Sequence, residues 1–233
     1  MARADEGGPA LWPWLVAGGG ATAAAIWWAR NVEPDASILG AAPELVAARW
    51  VFPVPMWGTR KAEISDGYSA EAITIGPRTH RKHLGADIMF RRRSRAELVA
   101  EYPPGSPDGS LGYFMPRAHP AVAAADGVVW SAKRTPRGFS VVVSHGAPWA
   151  TFYQHLEALA VEPTARGASG ERVRAGQPLG PIGGNPSLPP HLRHLHFEIW
   201  RGGNGTTAID PAPLLRRWSH LPQPARLAAR VEA

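Results

Sequence analysis

The stretch RHLHFEIW, residues 193–200, alternates polar and apolar side chains as a half-buried β-strand does. Because successive side chains of a strand point to opposite faces, two histidines and a glutamate share one face of this stretch and the apolar residues point into a core. The three polar residues are His194, His196 and Glu198. Two imidazoles about 6–7 Å apart on one strand face can both reach one small site, one as a metal ligand and one as a catalytic partner. A pair of solvated histidines on an outer face is an equally good interpretation of this stretch alone.

Short β-type runs recur outward from this stretch, separated by Gly, Pro, Asn and Asp. They are VAAADGVVWSA at 122–132, GFSVVVSH at 138–145 and ATFYQHLEAL at 150–159. Strands at this spacing predict a mainly β fold with antiparallel sheets, in one domain over residues 51–215. Residues 91–116 open with an arginine cluster and continue into a Pro/Gly-rich stretch, and we predict that they form a long excursion between two strands.

The composition limits the class of protein and the kind of site. Of the 233 residues, 45% are hydrophobic, which is enough to form a buried core. The net charge of +6 favours a polyanionic neighbour, such as nucleic acid, anionic lipid or an acidic cell-wall polymer. No recognisable module supports specific nucleic-acid binding. The chain has no cysteine, so any metal must be held by histidine and carboxylate.

The N-terminal segment has the features of a membrane span. Residues 10–29, ALWPWLVAGGGATAAAIWWA, carry no charge and match the roughly 20 residues that cross a bilayer core. Tryptophans at both ends are typical of the aromatic belts of such spans. We predict that residues 1–30 form an N-terminal hydrophobic helix that anchors the chain in a membrane; a cleaved signal peptide and a buried core helix are the alternatives. Residues 31–50 are predicted to be a partly helical linker, and residues 216–233 a basic C-terminal tail.

A second motif, HLGAD, begins at His83. On a straight strand His83 and Asp87 would be about 13 Å apart, too far for both to bind one ion at roughly 2 Å each. The chain must therefore turn between them, and Gly85 is the residue that would permit the turn. The apolar residues that follow favour a loop that runs into a strand.

A third candidate is His155, in the run at 150–159. Strand alternation places its side chain on the same face as Thr151 and Tyr153. Taken alone, His155 is best interpreted as a half-buried histidine of a strand.

Together these residues make a more informative set. Zinc in a hydrolase usually takes three protein ligands from histidine and carboxylate and leaves a position for water. His83, Asp87 and His196 would provide such a set. His155 and His194 would remain to move protons and to stabilise the developing oxyanion.

The order of the motifs along the chain resembles that of a known family. The order is HLGAD at His83, AAADGVV ending at Val129, YQHL at Tyr153, VRAGQPLG from Val173 and HLHFE at His194. It is similar to that of the lysostaphin-type zinc metallopeptidases, peptidoglycan endopeptidases that include glycyl-glycine endopeptidases and β-lytic enzymes. The resemblance spans residues 50–215, most of the chain.

The resemblance implies antiparallel sheets that flank a narrow groove with one Zn²⁺ on its floor. Carried over residue by residue, it makes His83, Asp87 and His196 the zinc ligands and His155 and His194 the catalytic histidines. The implied activity is hydrolysis of peptide bonds in the stems or cross-bridges of peptidoglycan, with water as the nucleophile. The implied location is the cell envelope, with the peptidase domain outside the cytoplasmic membrane, held by its N-terminal anchor or secreted.

An alternative function within the same family is a catalytically silent scaffold or activator of other cell-wall hydrolases. Such members typically lack one or more ligands, whereas this chain lacks none, so the enzyme is favoured. The motifs indicate no oligomeric state. His80, His119 and His220 have no partners at a recognisable spacing, and we expect them at the surface.

Overall fold

The computed structural model of the protein describes residues 49–75, 78–80, 82–93, 112–168, 170–186, 193–202 and 207–223. The predicted N-terminal hydrophobic helix, the linker up to residue 48 and the last ten residues of the basic tail lie outside this part. No helix within it is long and apolar enough to cross a membrane. The membrane anchor and the domain limits therefore stay predictions.

One antiparallel sheet forms the centre of the fold and confirms the mainly β class. With strands numbered along the chain, its main path runs through β1 (Glu63–Asp66), β4 (Ala86–Arg91), β12 (Leu195–Arg201), β9 (Trp149–Leu156), β8 (Gly138–Ser144), β7 (Gly127–Thr135) and β10 (Arg172–Val173). At its sides, β5 (Tyr113–Phe114) pairs with β4, and β13 (Ala208–Ile209) pairs with β12. Two small ribbons join β6 (Pro120–Val122) to β11 (Pro178–Pro181) and β2 (Ile73–Ile75) to β3 (Arg78–His80). A single helical turn, α1 (Ala212–Leu215), follows the sheet.

The inner strand β12 shows the alternation predicted from its sequence. Its apolar residues Leu195, Phe197 and Ile199 are fully buried in the hydrophobic core. The polar face is covered as well: His194, His196 and Glu198 are only 7%, 9% and 8% exposed. Because both faces are buried, the interpretation of the two histidines as a solvated pair is wrong.

The excursion after β4 is closed at its base. β4 and β5 are antiparallel, and the paired residues are Phe90 with Phe114 and Arg91 with Tyr113. The two ends of the 91–116 excursion therefore lie on paired strands, as predicted for a connection between two strands. Residues 94–111 lie outside the described part of the chain.

The first and last described segments meet on the core side of the sheet. Val51 forms a parallel bridge with Ser219. The rings of Trp50 and Trp218 stack with their centroids 5.0 Å apart, and Trp218 also contacts Phe197 of β12. Trp218, with Trp50 stacked on it, thus covers the face of β12 opposite to His194 and His196.

Candidate metal centre

The register of β4 with β12 brings the two histidine motifs together. His196 lies directly opposite Asp87 in the sheet. His83 precedes β4 and forms a bridge with Ser69, in which each backbone N–H donates to the other residue's carbonyl. The predicted loop that runs into a strand is therefore present. It places the side chain of His83 beside that of Asp87.

Three potential ligand atoms form a nearly equilateral triangle. Nε2 of His83, Oδ1 of Asp87 and Nδ1 of His196 are each 3.0 Å from the other two. In a tetrahedral zinc site with bonds of about 2.0–2.1 Å, neighbouring ligand atoms are roughly 3.3 Å apart. The triangle fits that requirement with a small expansion, so His83, Asp87 and His196 can hold a metal ion together.

The partners of the two imidazoles leave the right nitrogen atoms free. Nδ1 of His83 lies 2.6 Å from the carbonyl oxygen of Gly67, which can only accept, so Nδ1 carries a proton and, in the neutral ring that binds a metal, Nε2 presents a lone pair. Nε2 of His196 lies 2.7 Å from Oε1 of Glu198, a carboxylate oxygen that accepts in the same way, which leaves Nδ1 for a metal. The other oxygen of Glu198 accepts the indole N–H of Trp200 at 2.5 Å. The role of Glu198 was not assigned from the sequence, although alternation placed it beside His196.

Gly85 has a different function from the one predicted. Its φ is not in the left-handed region, so the turn does not depend on backbone freedom. A Cβ atom at this position would lie 2.4 Å from the carbonyl oxygen of Phe197 and 2.9 Å from Cγ of Glu198. Glycine is required because the loop passes directly against the backbone of β12.

His155 reaches the centre through a β-bulge. In the register of β8 with β9, Gln154 and His155 both lie opposite the single residue Ser140. His155 has a φ of +68°, in the left-handed region. Its side chain therefore leaves the core face, where Tyr153 lies, and its ring centroid comes within 4.6 Å of that of His194. The prediction that His155 shares a face with Tyr153 is wrong because the bulge interrupts the alternation.

The two remaining histidines of the set lie beside the ligand triangle. Nε2 of His194 is 3.6 Å from Oδ2 of Asp87, and the ring centroid of His155 is 6.0 Å from that of His196. Nδ1 of His155 donates to the carbonyl of Arg137 at 2.9 Å, which leaves its Nε2 available. The fold thus brings together all five residues singled out from the sequence.

The electrostatics of the centre favour a cation. Burial opposes ionisation of Asp87, but the charge of His194 and the hydrogen bonds from His196 and His83 hold the pKa of Asp87 well below its usual range. Burial likewise disfavours a charged His196, yet the hydrogen bonds to Asp87 and Glu198 raise the pKa of His196 to about 9. The carboxylates of Asp87 and Glu198, which stabilise the protonated form of His196, also attract a divalent cation. Such a cation competes with the proton for the imidazole.

Histidines outside the centre have structural contacts. The prediction that His119 lies at the surface is wrong, since it is 1% exposed and its Nε2 donates to the carbonyl of Pro55 at 2.9 Å. Burial lowers the pKa of His119 to about 4. His220 is half-buried and stacks on Phe52. The side chain of His80 lies outside the described part.

Residues 108–211 match the family described as peptidase family M23. This range contains His155, His194 and His196, whereas His83 and Asp87 precede it and are joined to it by the pairing of β4 with β12. A mainly β protein with a histidine–aspartate–histidine centre is thus also matched in sequence by a peptidase family. Residues 108–211 are thus similar to peptidase family M23, the lysostaphin-type family.

Several solved structures are similar to this chain, including the following three. A zinc-containing peptidase from Vibrio cholerae is 20% identical, with 75% of this chain and 41% of that chain covered and a TM-score of 0.48. The SpoIIQ–SpoIIIAH pore-forming complex matches at 20% identity over 74% of this chain and 93% of that chain, with a TM-score of 0.47. The catalytic domain of the antimicrobial peptidase lysostaphin from Staphylococcus simulans matches at 23% identity over 67% of this chain and 92% of that chain, with a TM-score of 0.42. The chain thus spans about two fifths of the length of the Vibrio protein.

Proposed function

We propose that the chain is a zinc metalloendopeptidase that hydrolyses peptide bonds in the stems or cross-bridges of bacterial peptidoglycan. The observation that carries the proposal is the triangle of ligand atoms from His83, Asp87 and His196 with two further histidines beside it. The match of residues 108–211 to peptidase family M23 supports peptide-bond hydrolysis. The net charge of +6 suits a substrate embedded in an anionic wall.

In the proposed mechanism, His83 Nε2, Asp87 Oδ1 and His196 Nδ1 would hold the zinc ion. Bound zinc supplies a Lewis acid and makes water a nucleophile near neutral pH. His155 and His194 contact the reacting groups. The Arg137 carbonyl fixes the Nδ1 proton of His155, so His155 acts through Nε2.

Proton movement and charge stabilisation are the proposed tasks of this pair of histidines. One imidazole accepts a proton from the attacking water and later delivers it to the leaving amine. The other donates a hydrogen bond to the peptide oxygen, which gains negative charge as water adds to the carbonyl carbon. Burial, followed by the nearby charge of His194, lowers the pKa of His155 to about 4.

We also propose that the chain acts outside the cytoplasmic membrane, where peptidoglycan lies. The uncharged segment at 10–29 would anchor it there, and secretion is the alternative. Fractionation of cells that express the full-length chain, with a carbonate wash to remove peripheral proteins, distinguishes the two. Recovery in the washed membrane supports the anchor, and recovery in the medium with a shortened N-terminus supports secretion.

The central test is digestion of purified peptidoglycan by the full-length chain, with and without a chelator. Walls with direct cross-links and walls with glycine bridges are compared, and the products are identified by mass spectrometry. We expect a chelator-sensitive release of muropeptides from at least one wall. If neither wall is cut by the zinc-loaded chain, the enzyme proposal is refuted.

Two variants separate the proposed roles. His196→Ala should lose both zinc and activity, because it removes a ligand. His194→Ala should retain zinc and lose activity, because it removes only a group that contacts the substrate. A His194→Ala protein that contains no zinc would show that this assignment is wrong.

The scaffold function makes a different prediction for the same assays. A silent family member would not cut any wall, and its effect would appear only as faster digestion by a second hydrolase. The complete ligand set counts against this function, since such a member does not need to retain a metal.

A further inference from the structure

Glu198 links the ligand triangle to an aromatic cluster on the same face of the sheet. Its Oε1 lies 2.7 Å from Nε2 of His196, and its Oε2 lies 2.5 Å from the indole nitrogen of Trp200. Trp200 stacks on Phe152, with centroids 5.0 Å apart and an interplanar angle of 18°. Glu198 is 8% exposed and Trp200 is 8% exposed. The position of the carboxylate is therefore fixed at both oxygens by buried partners.

This fixed carboxylate determines which nitrogen of His196 can bind a metal. A neutral imidazole carries its proton on either Nδ1 or Nε2, and a metal requires the unprotonated nitrogen. A carboxylate oxygen only accepts, so it holds the proton on Nε2. The lone pair of Nδ1 then points at the position shared with His83 and Asp87.

Geometry gives a second reason why His196 depends on Glu198. The ring can rotate about its terminal side-chain torsion, which is broad for histidine. The contact with Glu198 fixes the ring plane in which Nδ1 is 3.0 Å from both other ligand atoms. His83 is fixed independently, through the backbone carbonyl of Gly67.

We infer that Glu198 is a positioning residue for the metal centre, and that the indole N–H of Trp200 holds Glu198 in place. The inference rests on the proposed zinc site and adds the residues that select its tautomer and orientation. Such outer partners of a metal-binding histidine typically contribute 10–100-fold to metal affinity. Glu198 does not contact the reacting groups and acts only through His196.

The test compares zinc binding by the full-length wild-type chain and three variants. The substitution Glu198→Gln keeps the size of the side chain but gives it an amide NH₂ group, which can donate to Nε2 and favour the wrong tautomer of His196. Trp200→Phe keeps an aromatic ring on Phe152 and removes the N–H donor together with part of the indole ring. Glu171→Gln, a half-buried carboxylate beside β10, is the matched control.

Dissociation constants come from competition with a chromophoric chelator. We expect the Zn²⁺ dissociation constant to rise about 10–100-fold in Glu198→Gln, to rise by a smaller factor in Trp200→Phe and to stay unchanged in Glu171→Gln. Two further readouts separate positioning from general stability. The visible absorption spectrum of the Co²⁺-loaded protein should change in Glu198→Gln, while the fold of the metal-free protein, followed by circular dichroism, should remain that of the wild type.

The outcomes distinguish this inference from the proposed function. If the wild type binds zinc and Glu198→Gln binds it within twofold of the wild type with an unchanged cobalt spectrum, the positioning role is refuted and the zinc site stands. If the wild type binds no zinc, both proposals are refuted. If Glu198→Gln is misfolded, Trp200→Phe decides: an unchanged affinity and cobalt spectrum would refute the role of this pair.

Discussion

Replacing Gly85 by alanine tests whether the metal centre depends on close approach between the His83–Asp87 loop and β12. The added Cβ would lie 2.4 Å from the carbonyl oxygen of Phe197 and 3.0 Å from its carbonyl carbon. Both are backbone atoms of an inner strand, so neither can move away as a flexible side chain could. The strands must separate instead.

The size of the effect follows from these distances. An ordinary non-bonded contact is about 3.5 Å, so β12 and the loop must part by roughly 1 Å. Overpacking of this kind costs about 1–3 kcal/mol of folding free energy. Metal-ligand distances tolerate only about 0.2 Å, and the gap opens between His83 and His196. We therefore expect the zinc dissociation constant of Gly85→Ala to rise at least about tenfold.

The control is Gly146→Ala, in the turn between β8 and β9. Gly146 has a φ of +91° with nothing within 4 Å of an added Cβ, so the substitution costs about 1–2 kcal/mol through backbone strain alone. Chemical denaturation and chelator competition on both variants separate the two effects. Both variants should be less stable, and only Gly85→Ala should bind zinc more weakly. Unchanged zinc affinity in Gly85→Ala would refute the reasoning.

Three further predictions concern the bulge, a buried histidine and the metal. Gly138→Ala should lower peptidase activity but leave zinc affinity unchanged. Gly138 has a φ of +93°, and an added Cβ would lie 2.9 Å from the carbonyl oxygen of Leu156. The substitution therefore disturbs the bulge that positions His155, which is not a zinc ligand in the proposed site. His119→Gln should flatten the pH dependence of stability between about pH 4 and 6.5, measured by denaturation at each pH. Removing zinc should lower the melting temperature, since an ion at 100 times its dissociation constant contributes about 2.7 kcal/mol.

The sign of the His119 effect follows from the lowered pKa. Burial lowers the pKa of His119 from 6.5 to about 4, so the unfolded chain binds the proton more tightly than the folded one. The stabilisation, about 3 kcal/mol, is present above pH 6.5 and is lost as the pH falls towards 4. Glutamine can still donate to the Pro55 carbonyl but cannot take up a proton. An equally steep pH dependence of stability in His119→Gln would contradict this explanation. A loss of zinc in Gly138→Ala would contradict the prediction for the bulge. A melting temperature that does not change when a chelator removes zinc would contradict the prediction for the metal.

The sequence predicts the parts of the centre that depend on local periodicity. Alternation in β12 places His194 and His196 on one face and opposite to the buried Phe197, as the structure has them. The same rule would also have identified Trp200 as the next residue beyond Glu198 on that face. A carboxylate and an indole donor in alternate positions after a ligand histidine are therefore a signal that the sequence contains.

Other parts of the centre depend on tertiary register, which local patterns do not encode. The bulge at His155 exists because β9 has one residue more than β8 at that point. The need for glycine at position 85 arises from the backbone of β12, which lies more than 100 positions further along the chain. The imidazole of His119 has its contacts far away in sequence, with the carbonyl of Pro55 and the ring of Phe90.

These irregularities explain how a sheet can direct several histidines at one point. A regular strand presents every second residue to a face, about 6–7 Å apart, which suffices for His194 and His196 but would leave His155 of β9 on the core face beside Tyr153. The extra residue opposite Ser140 turns His155 out of the core face, and the missing side chain at Gly85 lets His83 lie over β12. A variant that kept every histidine but lacked both the bulge at His155 and the glycine at position 85 should therefore fold around the same hydrophobic core and lose the metal centre. The core depends on the alternation of side chains along the strands, whereas the metal centre depends on these two departures from it.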